Sequence, residues 1–223
     1  LPVAVSVAGG VLAIRTATGF DSKWTVPVCL LCVLLMTVVN LRGVKESGAV
    51  FAGPTYFYIV MLVLLILVGF YRIFVQHVGP IPDSMLSKEA VELKHQTSTL
   101  GLFMLLRAFS SGAVALSGVE AVSNGVPAFK KPESKNASTT LMWMGGILGS
   151  CFLGVSVLAV HLKPLRGESD GNGLGLMAQY IYNGKGFMFW ATMIATFAIL
   201  ILAANTAYAD FPRLASIIAK DGF

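Results

Sequence analysis

Charge is scarce in this sequence. Lys, Arg, Asp and Glu make up 12% of its 223 residues, hydrophobic residues make up 56%, and the mean hydropathy is +0.77. Soluble domains usually contain about 25% charged residues. Because so few charges cannot cover a globule with a polar surface, the composition excludes an ordinary soluble domain. It indicates that lipid surrounds much of the chain.

Cysteine is also scarce, and metal-ligating residues do not cluster along the sequence. The three cysteines form no disulfide or zinc framework, and Cys29 and Cys32 lie in an apolar run without histidine nearby. The sequence also contains no catalytic triad or nucleophile elbow. We therefore expect no enzyme, no catalytic residue, no bound metal and no cofactor. The net charge of +5 does not indicate nucleic acid, because Lys and Arg lie mainly in short connections, as in plasma or inner membrane proteins.

Long apolar runs are what the sequence does contain. A membrane-spanning helix needs roughly 20 apolar residues. We predict one all-α transmembrane domain over 1–223, with approximate spans at 1–20, 24–41, 48–73, 108–129, 139–162 and 187–209. Segments 40–48 and 130–138 are short and basic, which places them in the cytoplasm by the positive-inside rule. The sequence begins inside an apolar run and ends without a tail, so we expect a fragment of a longer protein.

Residues 171–176 read GNGLGL, which superficially resembles a phosphate-binding loop. They lack the preceding strand and the lysine that such a loop requires. We predict that this segment is a flexible loop on the outer side of the membrane.

A carboxylate lies inside the fourth predicted span. Glu120 shares one helical face with Ser117 and Asn124, because these residues are three and four positions apart. A charged side chain near the bilayer centre costs ~2.5–3.5 kcal/mol by insertion scales, and such residues usually face a cavity or a partner. Glu120 is therefore a candidate functional residue. The alternative is a carboxylate that ties two helices together by hydrogen bonds.

Helix breakers flank this carboxylate. Gly112, Gly118, Gly125 and Pro127 weaken the backbone hydrogen bonds around it, and an unwound backbone in lipid must be satisfied by protein or cavity water. Transporters bind ions and substrates at such broken helices, whereas close packing through small residues is the alternative. The predicted substrate- or ion-binding residues are Ser6, Ser117, Gly118, Glu120 and Asn124, and the predicted structural breaks are Gly112, Gly125 and Pro127.

Other polar residues lie within the apolar runs. They are Thr55, Tyr56, Tyr58, Asn205, Thr206 and Tyr208. Each alone is typical of a packing or interface residue. Together with Ser6 they could supply neutral oxygens to a common cavity, and hard monovalent cations favour oxygen ligands.

Three separate stretches resemble the amino acid–polyamine–organocation (APC) permease superfamily. They read NLRGVKESG, SGVEAVSNGVPAFKKPESKNA and AANTAYADFPRLASIIAKDGF, and the second is most similar to the branch that contains high-affinity potassium importers. The resemblance implies a partial inverted-repeat fold covering roughly membrane helices three to eight. It assigns the second stretch to the broken sixth helix, with Ser117 and Glu120 on the ion path. Pro2 departs from the pattern, because potassium-importing relatives tend to have threonine there.

Together, the breakers and the resemblance predict a secondary transporter that works by alternating access. It would move an amino acid or a monovalent cation across the cell membrane, coupled to protons. A specific potassium importer is one alternative, and a non-transporting membrane sensor or an ion channel are others. K⁺ would be a substrate and H⁺ a coupling ion. The expected partners are an ion or small-molecule substrate and the lipid bilayer, with a homodimer as an option.

Overall fold

A computed structural model describes residues 2–41, 48–86, 91, 102–113, 130–164 and 172–220. These residues form α-helices and short connections without a β-strand, which confirms the predicted all-α class. The α-helices among them are α1 (Pro2–Thr18), α2 (Thr25–Leu41), α3 (Gly48–Phe74), α4 (Leu102–Ala113), α5 (Glu133–Leu162), α6 (Gly173–Ile181) and α7 (Phe187–Lys220). Two short 3₁₀ helices, Ser22–Trp24 and Asp83–Met85, lie in the connections.

Four stretches of helix are long and apolar enough to cross a membrane. They are Ser22–Leu41, Phe51–Phe74, Glu133–Leu162 and Phe187–Thr206, and Val3–Thr18 is a shorter apolar helix. These stretches coincide with predicted spans. The remaining predicted span, 108–129, begins within α4, and its part after Ala113 lies outside the described residues.

The chain divides into two compact units. The first consists of Leu1–Leu93 and Leu158–Phe223, and the second is Lys94–Val157. The first unit contains α1, α2, α3, α6, α7 and the last turn of α5. The second contains α4 and the rest of α5, where Ala137 and Cys151 are buried.

The first unit is built on the pairing of α1 with α7. Val7 and Val11 on α1 are fully buried and share one apolar cluster with Ala204 on α7. A Cβ atom at Gly9 would lie 3.3 Å from Leu200, whereas Thr16, near the end of α1, and Met193 of α7 both lie against the position of a Cβ at Gly175. Contacts therefore move toward the start of α7 as α1 advances, so the two helices are antiparallel.

One side of helix α2 packs against this cluster. Met36 is its one fully buried residue, and Cys29 and Cys32 are half-buried against the same cluster. Large apolar side chains such as Leu30 and Leu34 are exposed on the rest of α2. An apolar exposed surface of this kind suits lipid or further helices of a membrane protein.

The connection between α1 and α2 begins with a tight turn. The Gly19 N–H donates to the Arg15 carbonyl at 2.7 Å, and the φ angle of Gly19 is +75°. This left-handed conformation ends the helix, and glycine adopts it without a steric penalty.

The prediction of a flexible loop at 171–176 is wrong for the part that the structure describes. Asn172 caps a helix, because its side-chain oxygen accepts from the Gly175 N–H at 2.6 Å. The helix α6 then buries Gly175, Met177, Ala178 and Ile181. Glycine has a low helix propensity, but burial against neighbouring helices overrides it here.

Candidate functional site

The predicted binding centre lies mostly outside the described residues. Ser117, Gly118, Glu120 and Asn124 belong to it, as do the predicted breaks Gly125 and Pro127. Their roles stay predictions. The structure describes Ser6 and Gly112. Gly112 is the penultimate residue of α4 and has a helical backbone, with no atom within 4 Å of the position that a Cβ would occupy.

Ser6 lies on α1, where that helix packs against α7. It is half-buried beside Val7, whose side chain is fully buried. Gly9 and Gly10 follow one turn later, and a Cβ at Gly9 would lie 3.3 Å from Leu200. Glycines at these positions let the two helices approach closely. Ser6 is therefore held on a rigid, tightly packed pair of helices, as a binding residue must be.

Two polar pairs join α2 to α7, and we call them the inner seam. The Thr37 hydroxyl lies 3.1 Å from the Tyr208 hydroxyl, and the Asn40 amide donates to the Asn205 side-chain oxygen at 2.7 Å. Thr37 and Asn40 also donate to carbonyls of their own helix, at Val33 and Met36. The seam lies at the end of the apolar stretches Ser22–Leu41 and Phe187–Thr206.

The polar residues predicted within the apolar runs lie in different structural surroundings. Asn205 and Tyr208 contact α2, whereas the Thr206 hydroxyl is exposed and donates to the Ala203 carbonyl. Thr55 is half-buried on α3 and donates to the Phe51 carbonyl. Tyr56 is 68% exposed. The described residues therefore do not bring these side chains into one cavity.

The polar residues predicted from the sequence do not include Thr37 and Asn40 of the inner seam, or the buried threonines of α7. Thr192 and Thr196 are 1% and 5% exposed, although both lie in an apolar span. Their hydroxyls donate to carbonyls one turn earlier, at Met188 and Thr192. The spacing of four residues is the signal that could have marked Thr192 and Thr196 as one buried polar stripe.

A tyrosine stands next to this stripe. The Tyr182 hydroxyl is buried and has no partner with hydrogen-bonding geometry among the described residues. Burial raises the pKa of Tyr182, and the adjacent Thr192 hydroxyl lowers it. The phenol therefore stays protonated and keeps its O–H as a donor.

Helix α6 connects the opposite end of the α1–α7 pair to α3. The Asn172 N–H donates to the Thr16 hydroxyl at 3.0 Å, which joins the start of α6 to α1. The Arg72 guanidinium on α3 donates to the carbonyls of Tyr180 and Ile181 at 2.6 and 2.8 Å. A positive charge at a helix C-terminus is stabilised by the helix dipole. The arrangement ties three helices together.

The described residues offer neutral oxygens rather than a metal centre. Among them, no group of three or more His, Cys, Asp or Glu side chains is arranged to hold a metal ion. Hydroxyl and amide oxygens line the inner seam and the α7 stripe.

Comparison with known proteins gives this arrangement its context. A family model described as amino acid permease matches residues 2–223. The chain belongs to the amino acid permease family. This confirms the resemblance to APC permeases and the partial APC-type fold, and it agrees with the prediction that the chain is not an enzyme. Together with the four membrane-length apolar helices among the described residues, the family match makes the chain part of an integral protein of the cell membrane.

A potassium transporter is among the relatives of this chain. The chain is 36% identical over all its 223 residues to the protein named potassium transporter KimA of Bacillus subtilis (strain 168). The chain spans 35% of the length of that relative. The similarity agrees with the predicted closeness to the branch of potassium importers.

Proposed function

We propose that this chain is part of a secondary transporter that moves potassium ions across the cell membrane by alternating access. The observation that carries the proposal is the 36% identity to a potassium transporter across the whole chain. A likeness that covers every helix, rather than one motif, supports a common solute as well as a common fold. Proton coupling belongs to the proposal because a carboxylate within the membrane, such as Glu120, can bind and release a proton during the transport cycle.

The proposed ion site centres on the predicted broken helix. Glu120 would attract the cation, and Ser117 with the carbonyls around Gly118 would replace water around it. Asn124 would stabilise the unwound backbone. Ser6 stays a predicted binding residue on α1, where that helix packs closely on α7. Neutral oxygens and one carboxylate suit a weakly bound monovalent cation that must be released again.

The first experiment measures growth of cells that lack their own potassium uptake, at low potassium, with the full-length protein. We expect rescue by the parent protein and loss of at least ten-fold in uptake rate for Glu120→Gln, because the neutral amide cannot offset the charge of the ion. Glu133→Gln is the matched control. Glu133 lies in the first turn of α5, outside the proposed site, and its variant should transport normally.

The outcomes distinguish an error in the role assigned to Glu120 from an error in the proposed substrate. Normal uptake by Glu120→Gln would refute the assigned role of this carboxylate. If the parent protein does not restore growth, vesicles that contain the full-length protein are tested with labelled amino acids, because the family model is described as amino acid permease. Uptake of an amino acid without potassium uptake would replace the potassium proposal. Saturable binding without any flux would identify a membrane sensor.

Proton coupling is tested in vesicles with an imposed pH gradient. We expect potassium uptake to rise when the outside is more acidic than the inside, because protons entering down their gradient drive the ion inward. An uptake rate that follows the potassium gradient alone would remove proton coupling and leave the substrate proposal intact.

A further inference from the structure

Tyr182, which follows the last residue of α6, carries a buried hydroxyl without a hydrogen-bond partner among the described residues. The Thr192 hydroxyl of α7 lies near the phenol but makes no hydrogen bond with it. Buried polar groups in proteins are almost always bonded to the protein or to ordered water, because an unsatisfied hydroxyl loses its hydration without a replacement. The Tyr182 hydroxyl therefore needs a partner that the protein itself does not provide.

Two almost fully buried threonines of α7 supply hydrogen-bond acceptors on the same side of the helix. The hydroxyl of Thr192 donates to the Met188 carbonyl and the hydroxyl of Thr196 donates to the Thr192 carbonyl, each at 2.8 Å. Since each hydroxyl has one hydrogen atom, both oxygens can accept further hydrogen bonds but cannot donate any. Side chains four residues apart on a helix have Cβ atoms about 5–6 Å apart. One small molecule can therefore contact both threonine oxygens.

We propose that Tyr182, Thr192 and Thr196 bind one buried water molecule. The water accepts the hydrogen atom of the phenol and donates one of its own hydrogen atoms to each threonine oxygen. It then makes three hydrogen bonds, which is the usual number for a buried water molecule. The bound water joins the residue that ends α6 to the first half of α7, with bonds nearly as favourable as direct ones.

The chemistry of the three side chains favours water over a monovalent cation. A cation would be bound through oxygen lone pairs, and it cannot accept the hydrogen atom of the phenol. Tyrosine has an ordinary pKa of about 10, so all three side chains are uncharged at neutral pH. They offer no negative charge to offset that of an ion within an apolar span. Water satisfies the donor and both acceptors without adding charge.

The first test is the sign of the effect of Tyr182→Phe on the thermal unfolding of the full-length protein in detergent. We expect the unfolding temperature to fall by about 2–4 °C, because the variant removes a hydrogen bond to the bound water. A rise in the unfolding temperature would overturn the proposal. It would show that the phenol is buried without a partner, so that its removal relieves the cost of burying it.

Double-variant cycles distinguish a bound water from a direct hydrogen bond. Tyr182→Phe combined with Thr192→Val or with Thr196→Val should lower the unfolding temperature by less than the sum of the single effects, because each pair acts through the same water. Thr55→Val is the matched control, since the Thr55 hydroxyl also donates to a carbonyl one turn earlier but lies on α3. Its effect should add to that of Tyr182→Phe. Coupling of Tyr182 to Thr192 without coupling to Thr196 would indicate a direct bond and overturn the water site.

Two further measurements identify the bound molecule. The cycles are repeated with choline in place of sodium and potassium, and the coupling should persist. Loss of the coupling would identify a monovalent cation and refute the water. A high-resolution map of the full-length protein in lipid nanodiscs should also show a density peak about 2.7–3.0 Å from the three oxygens, and a map without that peak would contradict the proposal. These measurements do not involve transport, so their result is independent of the proposed function.

Discussion

Near the two ends of the α1–α7 pair, neighbouring helices are joined by different kinds of hydrogen bond. At the α6 end, the Arg72 side chain donates to the backbone carbonyls of Tyr180 and Ile181. At the inner seam, side chains meet side chains, as Asn40 meets Asn205. Every residue type carries a backbone carbonyl, so the α6 end depends on the donor alone. The inner seam depends on both partners, and so a change on either helix should disturb it.

The largest effect is expected where Gly175 of α6 packs against α1 and α7. Gly175→Ala should destabilise the full-length protein by about 2–3 kcal/mol, in the range measured for overpacked cores. The added methyl group would lie 2.6 Å from both Thr16 Cγ2 and the Asn172 side-chain oxygen. Thr16 is β-branched and stiff, and the Asn172 oxygen is held by its bond to the Gly175 N–H. Neither neighbour can move away cheaply.

Unfolding in detergent by heat or denaturant measures this effect. Gly173→Ala is the control, because no atom lies within 4 Å of a Cβ at Gly173. The control should be neutral or slightly stabilising, since alanine has the higher helix propensity. Equal stability of the Gly175 and Gly173 variants would contradict the close packing of α6 against α1 and α7 at Gly175.

An intermediate effect is expected at the Asn40–Asn205 pair. Asn40→Ala and Asn205→Ala should each cost about 1–2 kcal/mol, because each leaves a polar partner unsatisfied. The double variant should cost less than the sum, with a coupling energy of about 0.6–1.7 kcal/mol, as found for hydrogen bonds within membranes. Thr206→Ala, which changes an exposed hydroxyl on the same helix, should have almost no effect. Strict additivity of the two asparagine variants would show that the inner seam does not depend on both partners.

The smallest effect is expected at Tyr208. Tyr208→Phe removes the hydroxyl that lies 3.1 Å from the Thr37 hydroxyl, but Thr37 keeps its bond to the Val33 carbonyl. The loss should therefore be below about 1 kcal/mol in unfolding experiments. Tyr71→Phe, on an exposed tyrosine of α3, serves as the control and should match the parent protein. A loss of stability above about 2 kcal/mol would contradict the small contribution expected from the contact between Tyr208 and Thr37.

The long helices were predictable because a membrane demands length and apolar character. Helices α3 and α7 follow apolar runs that are visible without a structure. Helix α6 was missed for a physical reason. Gly173 and Gly175 argue against a helix by propensity, whereas Asn172 as a cap and the burial of Met177 and Ile181 come from contacts with other helices.

The candidate site was predictable in part. Asn205 and Tyr208 were recognised as polar residues in an apolar run, but their partners Thr37 and Asn40 depend on how α2 lies against α7. Arg72 is typical of a cation at the end of a span, and only the position of α6 reveals its two carbonyl partners. Glu120 and its flanking breakers stay predictions.

The threonine stripe of α7 has a consequence for its neighbours. Thr192 and Thr196 give their hydrogen atoms to carbonyls of their own helix, so each hydroxyl shows only lone pairs to the rest of the protein. A side chain that packs there must either bring a hydrogen atom to share or be free of polar atoms.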